Sequence, residues 1–312
     1  MSGWFFTILR RVSYSTQPMP SNLSFSNKRV LTAIFIPELF FCKNNDFAHN
    51  SKQKSHYLCH SKQSFLDTVN NANMGIKDLA RETLMFLHID LTQNLKYDRL
   101  TKEIMKKHLK SDSNCVDVGC HKGEILEMML NFAPKGHHFA FEPIPYLYQD
   151  LVKKYQNVAT IYPNALSDEK GTTTFNLVKN APAYSGLKQR HYDIENPEIE
   201  IINVEVETMD DLLGDNRIDF IKIDVEGGEF GVLKGAKNLL KKNLPTILFE
   251  CGKGASDYYG TQPADIFNYL TQEIGLLVFT LDDFIKGSKA LSQAEFVDCF
   301  DNLKEYYYVA SK

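Results

Sequence analysis

Hydrophobic and polar positions follow two regimes along the chain. Over residues 1–73 no period of 3.6 or 2 is sustained and Ser and Asn are abundant, which predicts a poorly structured extension. From Met74 the pattern becomes regular. Ile76, Leu79, Ala80, Leu84 and Leu87 share one face of a first amphipathic helix. Leu100, Ile104, Met105, His108 and Leu109 share one face of a second, with Asp98 as its expected N-cap. We expect residues 74–110 to form a helical brace or lid on the domain that follows, residues 111–312.

In that domain short apolar runs alternate with amphipathic ones. Residues 114–118, 139–141, 158–162, 218–223, 246–249, 276–280 and 305–310 read as strands. Helical spacing follows Glu124 (Ile125, Leu126, Met128, Met129, Phe132), spans 146–155, recurs through Phe230, Leu233, Ala236, Leu239 and Leu240 up to Pro245, and covers 266–274. Strands alternating with helices predict a mainly parallel sheet covered on both faces. Residues 172–178 and 199–207 are two further extended segments. The polar loop between them carries Tyr184, Ser185, Arg190, His191 and Tyr192; a long loop inside a compact domain is the leading place for substrate contact.

Composition changes this picture little. A 43% hydrophobic share over 312 residues supports a full core, and a net charge of -4 gives no basic footprint for nucleic acid. Charge does separate the two regimes: residues 1–73 hold eight Lys and Arg against three acids, leaving 27 basic and 36 acidic residues downstream. The extension has no acid before Glu38, and Arg10, Arg11 and its serines weakly resemble a transit peptide; we expect Met74 to be the natural start. The apolar run 31–42 is interrupted by Pro37 and Glu38 and is far short of the roughly 20 residues of a membrane span. Six scattered cysteines read as thiols of a reducing compartment, so a cytoplasmic location is expected. Cys115, Cys120 and His121 lie close in sequence, but no second ligand pair follows at metal spacing, and no metal is expected.

The chemistry centres on residues 114–123, Asn-Cys-Val-Asp-Val-Gly-Cys-His-Lys-Gly, a buried strand running through a glycine turn into a helix. A dinucleotide fingerprint would place a glycine where Asp117 stands, so that amides reach a pyrophosphate. A carboxylate there repels phosphate and attracts an ammonium or sulfonium. S-adenosylmethionine carries both cations and no phosphate. Glu142, ending the second strand 23 residues after Gly119, suits the two hydroxyls of a ribose. Asp224, Glu226 and Glu250 end later strands and are the candidate catalytic carboxylates. Asp224 would either hold the methionine ammonium or take a proton from the acceptor. Glu229 reads as a helix cap, and His191 is a second candidate base because imidazole titrates near neutrality.

Five blocks carry a resemblance: Val116 to Gly123, Phe141-Glu142-Pro143, Asn164 to Asp168, Met209 to Leu213, and Phe220 to Glu229 continuing through Val232-Leu233-Lys234-Gly235-Ala236. From about Asp98 onward the chain resembles an FkbM-type class I methyltransferase. The resemblance implies a Rossmann-like three-layer α/β/α fold with a mainly parallel seven-stranded sheet whose last strand is antiparallel. It also implies methyl transfer from S-adenosylmethionine, usually to a hydroxyl of a small molecule or sugar. On its motifs Asp117, Gly119, Cys120, Gly123, Glu142, Pro143, Ala165 and Leu166 are the expected cofactor contacts; Tyr184, Ser185, Arg190 and Tyr192 of the long loop are the expected acceptor contacts. The alternatives are a nicotinamide-dependent oxidoreductase on a similar sheet and a non-catalytic module that keeps the cofactor pocket.

Overall fold

Thr92 caps the first described helix, α1 (Gln93–His108), by accepting a hydrogen bond from the Leu95 amide. A computed structural model describes residues 92–192 and 194–312; the expectations for residues 1–73, for the helix from Ile76 to Leu87 and for Cys42 and Cys59 fall outside those residues. Asp98, the expected cap, lies inside α1, because the apolar face begins at Tyr97 and Thr92 supplies the capping oxygen one turn earlier. That face (Tyr97, Leu100, Ile104, Met105) joins a buried cluster with Phe220, Leu248 and Val309, so α1 covers one side of the sheet.

The chain continues through β1 (Cys115–Val118), α2 (Glu124–Phe132), β2 (His138–Phe141), α3 (Pro145–Tyr155), β3 (Ala159–Tyr162) and β4 (Ala165–Leu166). An antiparallel ribbon follows, β5 (Gly171–Val178) and β6 (Ile199–Glu207), then α4 (Met209–Leu213), β7 (Phe220–Ile223), α5 (Glu229–Lys234), α6 (Lys237–Asn243) and β8 (Thr246–Glu250). The last elements are α7 (Pro263–Asn268), running into a wider helical turn over Tyr269–Ile274, then β9 (Leu277–Thr280), α8 (Leu281–Lys286), α9 (Gln293–Asp301) and β10 (Tyr307–Ser311).

The seven-stranded sheet has the order β3-β2-β1-β7-β8-β10-β9. Its first five strands are mutually parallel, and β10 runs antiparallel to both β8 and β9. The Rossmann-like fold class is therefore as expected, with the reversed strand inserted one place in from the edge. Strands β1, β2 and β7 are buried at every residue, as a parallel sheet covered on both faces requires. Side chains such as Phe141, Phe249 and Tyr308 are almost wholly removed from water, which stabilises the fold by about 1.5–3 kcal/mol apiece before entropic costs.

Two departures matter for the site. The long helix expected after Gly228 is two helices. Gly235 sits where a Cβ would lie 2.0 Å from the Ser167 carbonyl oxygen, and the Asp210 carboxylate accepts the Asn238 and Leu239 amides at 2.9 and 2.8 Å, so a cap from α4 starts α6 afresh. Also, the two extended segments leave the main sheet. They pair over eight residues, Gly171↔Val206 to Val178↔Ile199, in a separate sheet of order β4-β6-β5. Alternate ribbon residues Phe175, Leu177, Val204 and Val206 pack with Ile144, Leu147 and Ala165. That packing anchors the ribbon beside the carboxyl end of β2.

Candidate functional site

β1 is central: the chain runs from it to β2 and β3 on one side, then returns to β7 and β8 on the other. The carboxyl ends of β1 and β7 thus form the switch point at which open α/β sheets bind ligands. After β1 the amides of Gly119 and Cys120 both donate to the Phe141 carbonyl, at 3.1 and 3.0 Å. Gly119 has φ +78°, and a Cβ there would lie 1.9 Å from the Asp224 carbonyl oxygen, so β1 and β7 approach too closely for any side chain. Gly123 (φ +82°) precedes α2, where a Cβ would meet Tyr155 and Leu151. His121 (φ 50°) and Glu226 (φ 60°) are non-glycine residues in the left-handed region, a strain that clusters at functional sites.

A cleft of about 610 Å³ opens over this turn. Of the expected cofactor contacts, Gly119, Glu142, Pro143, Ala165 and Leu166 line it, joined by Ser185, Asp224 and Glu226. Asp117, Cys120 and Gly123 do not, and lie behind the turn. Asp117 is wholly buried, and the cation nearest it in the described residues is the Lys222 Nζ, at 3.8 Å; Lys222 is its register partner on β7. The same Nζ lies 3.3 Å from Asp224 and 3.4 Å from the Gly119 carbonyl. The attraction expected between Asp117 and a bound cation is therefore met first by Lys222, which ties β1, β7 and the glycine turn together.

Glu142 is held from both sides. The His121 amide donates to its Oε2 at 2.7 Å and the Ile144 amide to its Oε1 at 2.9 Å, leaving each oxygen a free lone pair. Burial pushes this carboxyl up to about 7 against those two bonds. Beyond β7, Arg190 forms an ion pair with Glu226, and its guanidinium stands 5.3 and 5.8 Å from the Tyr184 and Tyr192 rings. These two tyrosines thus hold Arg190 and line neither of the clefts described here. Glu229, the expected helix cap, accepts the Val225 and Gly227 amides at 3.0 and 3.1 Å and fixes the turn that presents Glu226. Arg190, His191 and Glu250 line a second cleft, of about 700 Å³.

The acids differ electrostatically. Burial works against ionisation of Asp224, yet the Lys222 ammonium and a hydrogen bond donated by the Tyr307 hydroxyl hold its carboxyl below the ordinary value. Burial and the neighbouring Asp224 push Glu226 up to about 8 despite Arg190, and burial pushes Glu229 to about 7. Glu250, hydrogen-bonded to Asp224, is pushed well up by burial and by Asp224, Glu226 and Glu229. Asp224 is thus the most readily ionised member of this group, and burial together with its charge opposes ionisation of the other three.

Lys222, His121, Tyr307 and Asn164 were not among the residues expected at the site from the sequence. The signal for Lys222 was present: a lone lysine within Phe-Ile-Lys-Ile, two residues from Asp224 and so on the same face of the strand. Tyr307 comes from a strand 83 residues away, and nothing local announces its contact with Asp224. Among the described residues no group of three His, Cys, Asp or Glu is placed to hold a metal ion, and no helix is long and apolar enough to cross a membrane.

The family description Methyltransferase FkbM domain matches residues 117–275. Among solved structures, the chain is similar to the methyltransferase FkbM of Methylobacillus flagellatus KT, with 14% identity and TM-score 0.43, covering 82% of this chain and 60% of that one. It is also similar to precorrin-6y C5,15-methyltransferase of Geobacter metallireducens GS-15, with 15% identity and TM-score 0.37, covering 72% and 91%. A third is the TehB-like SAM-dependent methyltransferase of Corynebacterium glutamicum, with 11% identity and TM-score 0.35, covering 82% and 100%. No curated protein matches the chain.

Proposed function

The chain belongs to the FkbM methyltransferase family, and from that premise we propose that it transfers a methyl group from S-adenosylmethionine to a hydroxyl oxygen of a small molecule or sugar. One observation carries the choice of cofactor. The cleft lining, drawn from the described residues, holds three carboxyl groups (Glu142, Asp224, Glu226) and neither lysine nor arginine. Such a wall disfavours the pyrophosphate of a nicotinamide dinucleotide and favours a cationic ligand. The residues also fit the rest of the group: Glu142 offers two oriented oxygens to ribose hydroxyls, and Ile144, Ala165, Leu166 and Phe175 offer an apolar slot for a base.

S-adenosylmethionine, when bound, supplies a methyl group made electrophilic by the sulfonium. The chain's own groups divide the remaining work. Asp224 is the permanent anion, because Lys222 and Tyr307 stabilise its charge, and it holds the ammonium. Glu226, protonated near neutrality in the free protein, is ionised once the cationic cofactor is bound, and it takes the acceptor hydroxyl proton. The His121 and Ile144 amides keep Glu142 aimed into the cleft, and Phe175 of the ribbon with Ser185 of its connecting loop helps exclude water. Three carboxyls placed for these tasks support an active enzyme over a module that merely binds.

The test separates binding from chemistry. S-adenosylhomocysteine should raise the melting temperature and NAD should not. Glu226→Gln should keep S-adenosylhomocysteine affinity within about threefold while lowering kcat by about 10²-fold or more. Asp224→Asn should instead weaken binding. Stabilisation by NAD alone would overturn the cofactor assignment, and full turnover by Glu226→Gln would remove it as the base.

A further inference from the structure

The second cleft lies beside the first across a shared wall. Glu250 faces the second cleft and hydrogen-bonds Asp224, which faces the first; Arg190 faces the second and pairs with Glu226, which faces the first. Most of its charges have partners. Arg190 pairs with Glu226. Glu305 pairs with Lys96 Nζ at 3.0 Å, an ammonium that Asp282 shares at 3.0 Å, and accepts the Tyr97 hydroxyl at 2.5 Å. Burial and the neighbouring Asp224, Glu226 and Glu229 oppose ionisation of Glu250. His191, on the rim, is exposed. That leaves the Lys253 ammonium, exposed between Gly252 and Gly254 on the loop after β8, with no ion-pair or hydrogen-bond partner for its side chain among the described residues.

The cleft also has an apolar lining. Phe300, Leu303 and Tyr306 contribute to it, and Leu303 is 66% exposed with φ 52°. Leucine pays a steric cost in the left-handed region, roughly 1–2 kcal/mol, and here it leaves a large apolar side chain at the mouth of a cavity. A cation with no partner in a cleft that also presents an exposed leucine is the complement of an amphipathic anion.

We propose that the second cleft is the methyl-acceptor site and that it selects a hydroxyl-bearing amphipathic acid, whose carboxylate or phosphate meets Lys253 while its apolar or ring portion lies against Phe300, Leu303 and Tyr306. This rests on the methyltransferase reading above and narrows its acceptor class. A neutral sugar would leave the ammonium unmatched and Leu303 in water. Glu250 lines this cleft, and Glu226 lies behind Arg190 at its border with the first, which is where the acceptor hydroxyl would meet the cofactor.

The test is calorimetric. The full chain, saturated with S-adenosylhomocysteine, is titrated with 4-hydroxyphenylacetate and with its neutral mate 4-hydroxyphenylacetamide, and separately with 4-hydroxyphenyl phosphate to distinguish carboxylate from phosphate. At least one anion should bind about tenfold or more tightly than the amide, an advantage that shrinks with added salt. Lys253→Ala should erase the advantage and leave the amide affinity unchanged. Leu303→Ser should weaken acid and amide alike. Equal or tighter binding of the amide, no binding of any probe, or an acid preference that survives in Lys253→Ala would each overturn the proposal. Failure of S-adenosylhomocysteine itself to bind would overturn both readings, whereas its binding without any acid preference would sink this inference alone.

Discussion

Raising the pH from about 6 to about 8.5 should tighten S-adenosylmethionine binding by roughly 50- to 100-fold, with protons released on binding. Glu226 is protonated in the free protein below about 8, because burial and Asp224 oppose its ionisation, with Glu229 adding to them and Arg190 and Lys222 pulling the other way. Glu250 stands beside it, itself pushed well up. A cation about 4 Å away in a medium of effective dielectric near 20 stabilises the ionised form by about 4 kcal/mol, close to three pKa units. Glu226 would then titrate near about 5 in the complex, so binding at about pH 6 expels close to one proton. Affinity rises between the two values and levels off above about 8, which gives the stated ratio. Isothermal titration in buffers of different ionisation enthalpy counts the proton directly. S-adenosylhomocysteine lacks the sulfonium and should release fewer protons, and Glu226→Gln should flatten the slope by close to one proton. A pH-independent affinity for S-adenosylmethionine, or an unchanged slope in Glu226→Gln, would refute the reasoning.

Lys222→Met should destabilise the protein by about 3–5 kcal/mol in urea titrations, because Asp117 and Asp224 lose the buried cation they share. Adding Asp117→Asn should restore much of that loss; a Lys222→Met protein within about 1 kcal/mol of the parent would show that the buried lysine is not structural. Gly119→Ala forces a Cβ to 1.9 Å from the Asp224 carbonyl and should weaken S-adenosylhomocysteine binding at least about tenfold, with a lower melting temperature. Stability should also fall as pH rises from about 5 to about 8.5. Glu142, Glu226 and Glu229 have folded values of about 7, 8 and 7 against ordinary values of 4.5, so their contribution is complete below the unfolded value and is lost as pH rises through the folded ones. A higher urea midpoint at alkaline pH in the ligand-free protein would contradict this.

The sequence shows the sheet because a parallel strand buried on both faces is a continuous apolar run, and Cys-Val-Asp-Val and Phe-Ile-Lys-Ile read as nothing else. It also exposes their anomalies, one charge in each run, and for Asp117 that charge prompted an argument about a ligand. The strand register answers it with Lys222 instead. Periodicity reports which residues lie on a face, whereas pairing across 105 residues is a tertiary fact with no local trace. The same limit hid Tyr307 behind Asp224 and the cap that Asp210 lends to α6. Glu142 was legible because its partners are near in sequence: its bonds come from amides 21 residues before it and two after it, across the turn that the glycines announce. Contacts made by local backbone can be read along the sequence, whereas buried charge pairs between strands cannot. An interior lysine persists only where anions compensate its desolvation, and of the two here Asp117 is buried behind the turn while Asp224 lines the cleft. Lys222 therefore couples the stability of the central strands to the charge of the site, so that removing it should alter cofactor affinity and folding together, while removing Glu142 should alter affinity first.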